Sequence, residues 1–297
     1  FMSYIKDNFL LTNKTAERLY FGYAKDTPIF DYHCHLPEKQ ILANETFNDV
    51  FEIWLAGDHY KWRLMRNFGV DEAYITGEKS NKEKFLAYCK TLGTAFGNPL
   101  YHWSQVELKE FFNCEIEINE QNAELIWDWC NEYIALNKIT PQKLIEQSNV
   151  SHIFTTNEIF DDLSTFLQIK AKGYNFKVIP AFRADKLMGI EAPQYKTFME
   201  KLEGLTGKIE NLDDLEKAIE TRLQAFIEVG TTASDIAVEK VYKITEKSEA
   251  NAVFTATLGG SKPTKADSEC FKGYPLALIA AGLLALAFMG FSGLSIG

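Results

Sequence analysis

The sequence predicts an α/β fold built on a parallel sheet, with an all-helical insertion after the first strand. Three observations support this. A short apolar strand, "IFDYHCH" at residues 29–35, follows an N-terminal segment with helical apolar spacing. Nearly all of residues 38–148 then has helical spacing. From residue 149 onward apolar strands alternate with helices, which favours a closed barrel or a doubly wound sheet.

The composition restricts the class of protein and its partners. The 297 residues, 46% of them hydrophobic, suffice for one large domain or a domain with an insertion. A formal net charge of -10 argues against nucleic acid and anionic membrane as partners, because both require a basic face. The five cysteines form no C-x-x-C pair and the N-terminus lacks the layout of a signal peptide, which favours a cytoplasmic location. Neither nucleic acid nor an anionic membrane is therefore an expected partner, and a homo-oligomer is left open.

Local patterns set the predicted elements in order. Residues 3–24 are predicted to form a helix that leads into strand 29–35. Within the insertion, "TPQKLIEQ" predicts a helix with Thr140 as its N-cap and Pro141 at its first position. The expected domains are residues 1–37 with strand one, the insertion at 38–148, and the remaining strands and helices at 149–297.

The last domain is predicted to contain the other strands. Expected strands are "NVSHIFTT" at 149–156, "FKVIPAF" at 176–182 and "TTASDIAVEK" at 231–240, with a helix capped by Asn211 before the last of them. Residues 275–297 carry no charge and could span a bilayer by length alone. A buried helix followed by a buried strand, with a break at Gly290 and Gly293, is favoured because no Lys/Arg cluster or aromatic belt flanks the segment.

Two histidines at the end of strand one are candidate metal ligands. Side chains alternate along a strand, so His33 and His35 are predicted to face one side and Cys34 the other. Two imidazoles can then reach one divalent metal, for which zinc is the expected ion. The alternative is that both rings only form local hydrogen bonds.

Two further motifs are candidate catalytic and binding residues. In "IWLAGDHYKWRLMR", Gly57 and Asp58 can cap a helix whose first turn presents His59 and Tyr60, a pair suited to proton transfer; an ordinary amphipathic helix is the alternative. Arg183 follows the strand in "VIPAFRADK" and could bind a carboxylate with both arms of its guanidinium. A surface salt bridge from Arg183 to Asp185 or Glu191 is equally compatible with the pattern.

Five segments taken together resemble uronate isomerase of the amidohydrolase superfamily. The similarity covers residues 1 to about 270, and its segments, in this order, are "DYHCHLPEKQI", "FEIWLAGDHYKWRLMRNFGV", "GNPLYHWSQVELKEFF", "TPQKLIEQSNV" and "VIPAFRADK". The resemblance implies a metal-bearing (β/α)8 barrel of the TIM type that interconverts D-glucuronate with D-fructuronate and D-galacturonate with D-tagaturonate. It implies His33 and His35 as metal ligands, His59 and Tyr60 at the reacting end of the sugar, and Arg183 on the substrate.

The sequence departs from the family pattern at three places. Thr156-Asn157-Glu158 stands where the family has T-D-D, Ser234-Asp235-Ile236 where it has S-D-H, and "LSIG" at 294–297, with Ser295, where it has L-H-I-G. Family members continue through three more strands, one of which carries an aspartate ligand. The resemblance therefore implies an incomplete barrel of about five strands that binds a divalent metal weakly and isomerises uronates poorly or not at all. The alternatives are a metal-dependent hydrolase of the same superfamily and a truncated, catalytically impaired sugar-acid-binding barrel.

Overall fold

The computed structural model describes residues 4–237 and 240–292, with side chains up to residue 282. Its strands are β1 (Ile29–Cys34), β2 (Val150–Glu158) and β3 (Lys177–Arg183). Its α-helices, in chain order, are α1 (Lys14–Leu19), α2 (Glu38–Ala43), α3 (Val50–Trp54), α4 (His59–Asn67), α5 (Asn81–Leu92), α6 (Pro99–Phe112), α7 (Ala123–Asn137), α8 (Pro141–Gln147), α9 (Ser164–Lys172), α10 (Asp185–Met188), α11 (Tyr195–Thr206), α12 (Leu212–Glu228), α13 (Lys247–Leu258) and α14 (Lys265–Ser292).

The chain divides into two compact units, each built from two separate stretches of sequence. The helical unit comprises Phe1–Pro28 and Ala43–Asn149, and the sheet unit comprises Ile29–Leu42 and Val150–Gly297. The chain therefore leaves the sheet unit after α2 and returns to it at β2.

The helices of the helical unit begin at residues with capping side chains. The Ser80 side chain accepts a hydrogen bond from the backbone N–H of Glu83, whose carboxylate bonds back to Ser80, so α5 starts with a capping box. Thr140 caps α8 and Pro141 takes its first position, as predicted. The buried faces of these helices form one apolar core, which includes Phe85, Leu108, Phe112, Ile126 and Ile134.

Among the described residues, the sheet unit has a parallel three-stranded sheet in the order β1-β2-β3. The pairing of β2 with β3 is regular from His152 opposite Lys177 to Glu158 opposite Arg183. Phe154, Ile179 and Ala181 form the small buried cluster on these two strands. Because all three strands are parallel, their carboxyl ends lie at one edge of the sheet, where α/β proteins commonly bind ligands.

The predicted strand at 231–240 is wrong in its extent. Within the described residues, this segment makes a single parallel bridge, from Ser234 to Phe182 of β3. The backbone oxygen of Ala233 accepts from the Phe182 N–H at 3.1 Å, and the Asp235 N–H donates to the Phe182 oxygen at 3.2 Å. The segment then leaves β3, because the next backbone N–H that is held, that of Ala237, donates to the Asp185 side chain instead.

Two predicted helices differ in their bounds. The N-terminal helix starts at Lys14, capped by Asn13, because residues 6–11 form turns rather than a helix, and it ends in a π-helical turn at Tyr20–Ala24. The expected break at Gly290 is absent, since α14 continues through it to Ser292, as a stretch rich in alanine and leucine favours. Gly293 and the strand expected after it lie outside the described residues.

No helix in the described part of the chain has the length and apolar character needed to cross a membrane.

Candidate active site

The imidazoles of His33 and His35 converge at the carboxyl end of β1. His33 lies in the strand and His35 is the first residue after it. Their Nε2 atoms are 3.0 Å apart and their ring centroids 4.8 Å apart. The alternation of side chains predicted this convergence, and it holds although the strand ends between the two residues. Thr156 of β2 places its hydroxyl 3.4 Å from Nδ1 of His35.

Asp235 contacts the other nitrogen of His33. Its carboxylate oxygen Oδ2 forms a hydrogen bond with Nδ1 of His33. A carboxylate accepts a hydrogen bond from Nδ1–H and so favours the proton on Nδ1, which leaves the lone pair of a neutral His33 ring on Nε2, the atom that faces His35. Sequence reasoning noted Asp235 only as part of a family motif and gave it no role, because its partner lies 202 positions earlier in the chain.

The two Nε2 atoms partly fit a divalent metal. With zinc–nitrogen bonds of 2.0–2.1 Å, two ligands of a tetrahedral ion lie about 3.3 Å apart, close to the separation of these two atoms. A carboxylate behind a ligating histidine is also the usual arrangement around such ions. In the described part of the chain, however, no cluster of three or more His, Cys, Asp and Glu side chains could hold a metal ion. The described residues thus provide two of the roughly three protein ligands that a catalytic zinc takes.

Arg183 ends β3, at the same edge of the sheet as His33. Its Nε donates to Oδ2 of Asp185 at 2.9 Å, and its Nη2 donates to the same oxygen. This is the salt bridge considered in the sequence, but it is not a surface pair, since the two side chains are only 22% and 21% exposed. In the described residues, no hydrogen bond or ion pair involves Nη1 of Arg183, so this end of the guanidinium can meet an anion.

Glu158 lies beside Arg183 in the paired strands and has an unusual environment. Its side chain is 14% exposed, and its Oε2 is buried without a hydrogen-bond partner among the described residues. Lys186 is 3.9 Å from Oε1. Burial raises the pKa of Glu158, and the neighbouring Asp185 raises it further, although Lys186 and Arg183 act in the opposite direction.

A cavity of about 360 Å³ opens beside these groups. It is lined by residues 34–39 after β1 and by residues 155–157, 161 and 162 at the end of β2. His35 is in its wall, and so is Cys34, whose pKa burial raises to about 11, which makes its thiol a poor metal ligand. The volume is in the range of small-molecule sites.

His59 and Tyr60 open α4 in the helical unit, as predicted. Asp58 caps this helix, since its Oδ1 accepts from the N–H groups of Tyr60 and Lys61 at 2.9 and 3.1 Å. The ring centroids of His59 and Tyr60 are 4.3 Å apart, and Tyr60 is 58% exposed. The turn therefore presents a histidine and a phenol side by side.

Two polar side chains of the helical unit, His102 and Glu107, have partners within that unit. His102 forms a hydrogen bond with the Tyr4 hydroxyl at 2.7 Å and stacks on its ring. Glu107 lies 3.5 Å from the buried ammonium of Lys61, and burial raises its pKa.

Comparisons with known proteins agree on one family. A family model described as glucuronate isomerase matches residues 2–288. The uronate isomerase of Caldanaerobacter subterraneus is 42% identical over 93% of this chain, and that of Clostridium acetobutylicum is 41% identical over 93%. The crystal structure of the Thermotoga maritima uronate isomerase superposes with a TM-score of 0.89 at 33% identity, over 94% of this chain.

The chain spans about three fifths of the length of these relatives, 60% of the two sequences and 62% of the crystal structure. The matches nevertheless cover nearly all of this chain, and the likeness of the sheet unit and helical unit to a solved uronate isomerase fits a TIM-type barrel. The chain belongs to the glucuronate isomerase family.

Proposed function

We propose that this protein isomerises hexuronates, converting D-glucuronate to D-fructuronate and D-galacturonate to D-tagaturonate. The observation that carries the proposal is the convergence of His33 and His35, with Nε2 atoms 3.0 Å apart, at the sheet edge where Arg183 also ends its strand. Family membership supports isomerase chemistry over the hydrolase alternative.

The reaction requires that a proton move between C2 and C1 while the carbonyl group changes place. We assign His33 and His35 to a divalent metal, with zinc as the ion that two imidazoles favour. Bound there, the metal would polarise the carbonyl and hydroxyl oxygens of the sugar. Asp235 would keep the proton of His33 on Nδ1 and so keep Nε2 available.

Arg183 is assigned to the carboxylate of the substrate. Asp185 holds Nε and Nη2, and a planar guanidinium fixed in this way directs its remaining N–H groups without loss of side-chain freedom on binding. His59 and Tyr60 are assigned to proton transfer, on the family resemblance and on their side-by-side position at the start of α4. The proposed partner is a hexuronate, a small molecule. The proposed location of the protein is the cytoplasm, with which its five free cysteines are consistent.

The test is ketose formation by the purified chain with zinc and D-glucuronate, beside a panel of esters and amides. Zinc-dependent ketose formation that disappears in the H33A/H35A variant is the expected result. Hydrolysis of a panel member without ketose formation would instead favour the hydrolase reading. Zinc and glucuronate binding, measured by calorimetry on the same samples, separates a site that binds without turnover from one that does not bind.

A further inference from the structure

The carboxylate of Asp185 connects two parts of the sheet unit. Its Oδ2 accepts from Nε and Nη2 of Arg183, and its Oδ1 accepts from the backbone N–H of Ala237 at 2.8 Å. The Asp185 side chain is 21% exposed, so both interactions are partly shielded from water. One oxygen therefore holds the proposed substrate arginine, and the other holds a backbone segment far along the chain.

That segment carries Asp235. Before Asp235, the backbone is tied to β3 by the hydrogen bond from the Phe182 N–H to the Ala233 oxygen and by the Ser234 hydroxyl, which donates to the Phe182 oxygen at 2.8 Å. The N–H of Asp235 itself also donates to the Phe182 oxygen, and after Asp235 the tie is the bond from Ala237 to Asp185. Asp235 is thus held on one side by the end of β3 and on the other by Asp185, and from this position it reaches His33.

We propose that Asp185 is a positioning residue for the His33–His35 pair, acting through the segment 233–237 and Asp235. The effect on metal binding rests on the proposed function, whereas the effect on the segment does not. Without the Asp185 anchor, the chain after Asp235 loses the bond at Ala237, and the Asp235 carboxylate, then held only through the backbone bonds to Phe182, is less well fixed where it meets His33. A less well fixed Asp235 carboxylate lowers the affinity of the histidine pair for zinc. Mutation of such outer-shell partners typically costs 10–100-fold in metal affinity.

Two variants separate this role from simple neutralisation of Arg183. D185A removes both interactions, whereas R183Q breaks the ion pair but leaves the bond from Ala237 to Asp185. For D185A we expect at least about a tenfold rise in the zinc dissociation constant, measured by competition with a chromophoric chelator. We also expect faster hydrogen exchange of the Ala237 amide, measured by NMR with ¹⁵N-alanine labelling. R183Q is expected to resemble the wild type in both measurements.

A third variant and a control keep the outcome decisive. D185N retains one acceptor oxygen for the three N–H donors of Arg183 and Ala237, so its zinc affinity and Ala237 exchange should lie between those of the wild type and D185A. It decides the matter if D185A does not fold. E191Q removes the Lys272–Glu191 ion pair in the same unit and should change neither measurement. Wild-type behaviour of D185A and D185N, or an equal loss in R183Q, would overturn the inference. A wild type that binds no zinc, with Ala237 exchange still faster in D185A, would overturn the proposed function and leave the positioning of the segment intact.

Discussion

At His33, the group that holds Nδ1 decides which nitrogen is left for a metal. The D235N variant keeps the shape of the Asp235 side chain but removes the charge that favours a proton on Nδ1. We expect zinc affinity to fall about 10–100-fold, the usual cost of an altered outer-shell partner. Calorimetric titration with zinc measures this affinity. The control is D213N, since Asp213 is an exposed acid paired with Lys247. An unchanged affinity in D235N would remove Asp235 from the site.

Glu158 gives a pH-dependent prediction of stability. Burial raises its pKa in the folded protein above the ordinary value near 4.3. The protonated form therefore contributes stability that is fully present below that ordinary value and is lost as the pH rises through the folded pKa. Glutamine stays neutral throughout, so E158Q should gain stability relative to the wild type as the pH rises from about 4 to about 8.

Urea unfolding at several pH values measures this difference. The control is E220Q, which changes an exposed glutamate of α12 and should give a difference that does not depend on pH in this way. A relative stability of E158Q that stays constant, or that falls as the pH rises, would contradict the buried environment of Glu158.

The residues of the site differ in how far sequence could predict them. The convergence of His33 and His35 follows from the alternation of side chains over three positions, so it is readable locally. The ion pair of Asp185 with Arg183 spans two positions and could also be considered from the sequence, whereas the contacts from Asp235 to His33 and from Asp185 to Ala237 join segments that are remote in sequence. A buried carboxylate with an unpartnered oxygen, such as Glu158, has no sequence signature at all.

At the scale of elements, the start of α4 depends on one cap. D58A removes the acceptor of the Tyr60 and Lys61 N–H groups, and it also removes a carboxylate 3.5 Å from the buried Lys61 ammonium. We expect a loss of about 1–2 kcal/mol in the free energy of unfolding, at the upper end of measured cap losses. D58N should lose less, because asparagine caps as well as aspartate. Urea unfolding compares the two, and equal losses would mean that the charge near Lys61 matters and the cap does not.

Caps and periodicity also explain which elements the sequence could predict. Asn211 and Thr140 cap α12 and α8 where expected, because N-cap chemistry acts within three residues. β2 and β3 lie where predicted because each contains a short apolar stretch, Ile153 and Phe154 in β2 and 178–182 in β3, that is buried in the parallel sheet. The segment 231–240 is also predicted as a strand, but in its described residues the pairing with β3 is a single bridge, after which the N–H of Ala237 bonds to the Asp185 side chain instead of to β3.

At the scale of the molecule, the sequence predicted an insertion after strand one and a return to strands near residue 149. The structure shows two compact units whose chains interleave, with Ile29–Leu42 joined to the later sheet. Local patterns mark the change from strands to helices and back. They do not indicate that the N-terminal residues up to Pro28 belong with the helices, since that depends on contacts made far along the chain. Residues 294–297, where the family histidine is replaced by Ser295, lie outside the described residues.

His33 and Asp235 belong to the two separate stretches of sequence that form the sheet unit. Metal bound at this site should therefore stabilise the folded sheet unit. Zinc at about 100 times its dissociation constant adds about 2.7 kcal/mol if it binds only the folded state. For a unit of this size, that corresponds to a rise of roughly 5–11 °C in the melting temperature. We expect this rise in calorimetry of the wild type, no rise with magnesium, which prefers oxygen ligands, and no zinc-induced rise in H33A/H35A. A zinc-induced rise that persists in the double variant would place the ion elsewhere.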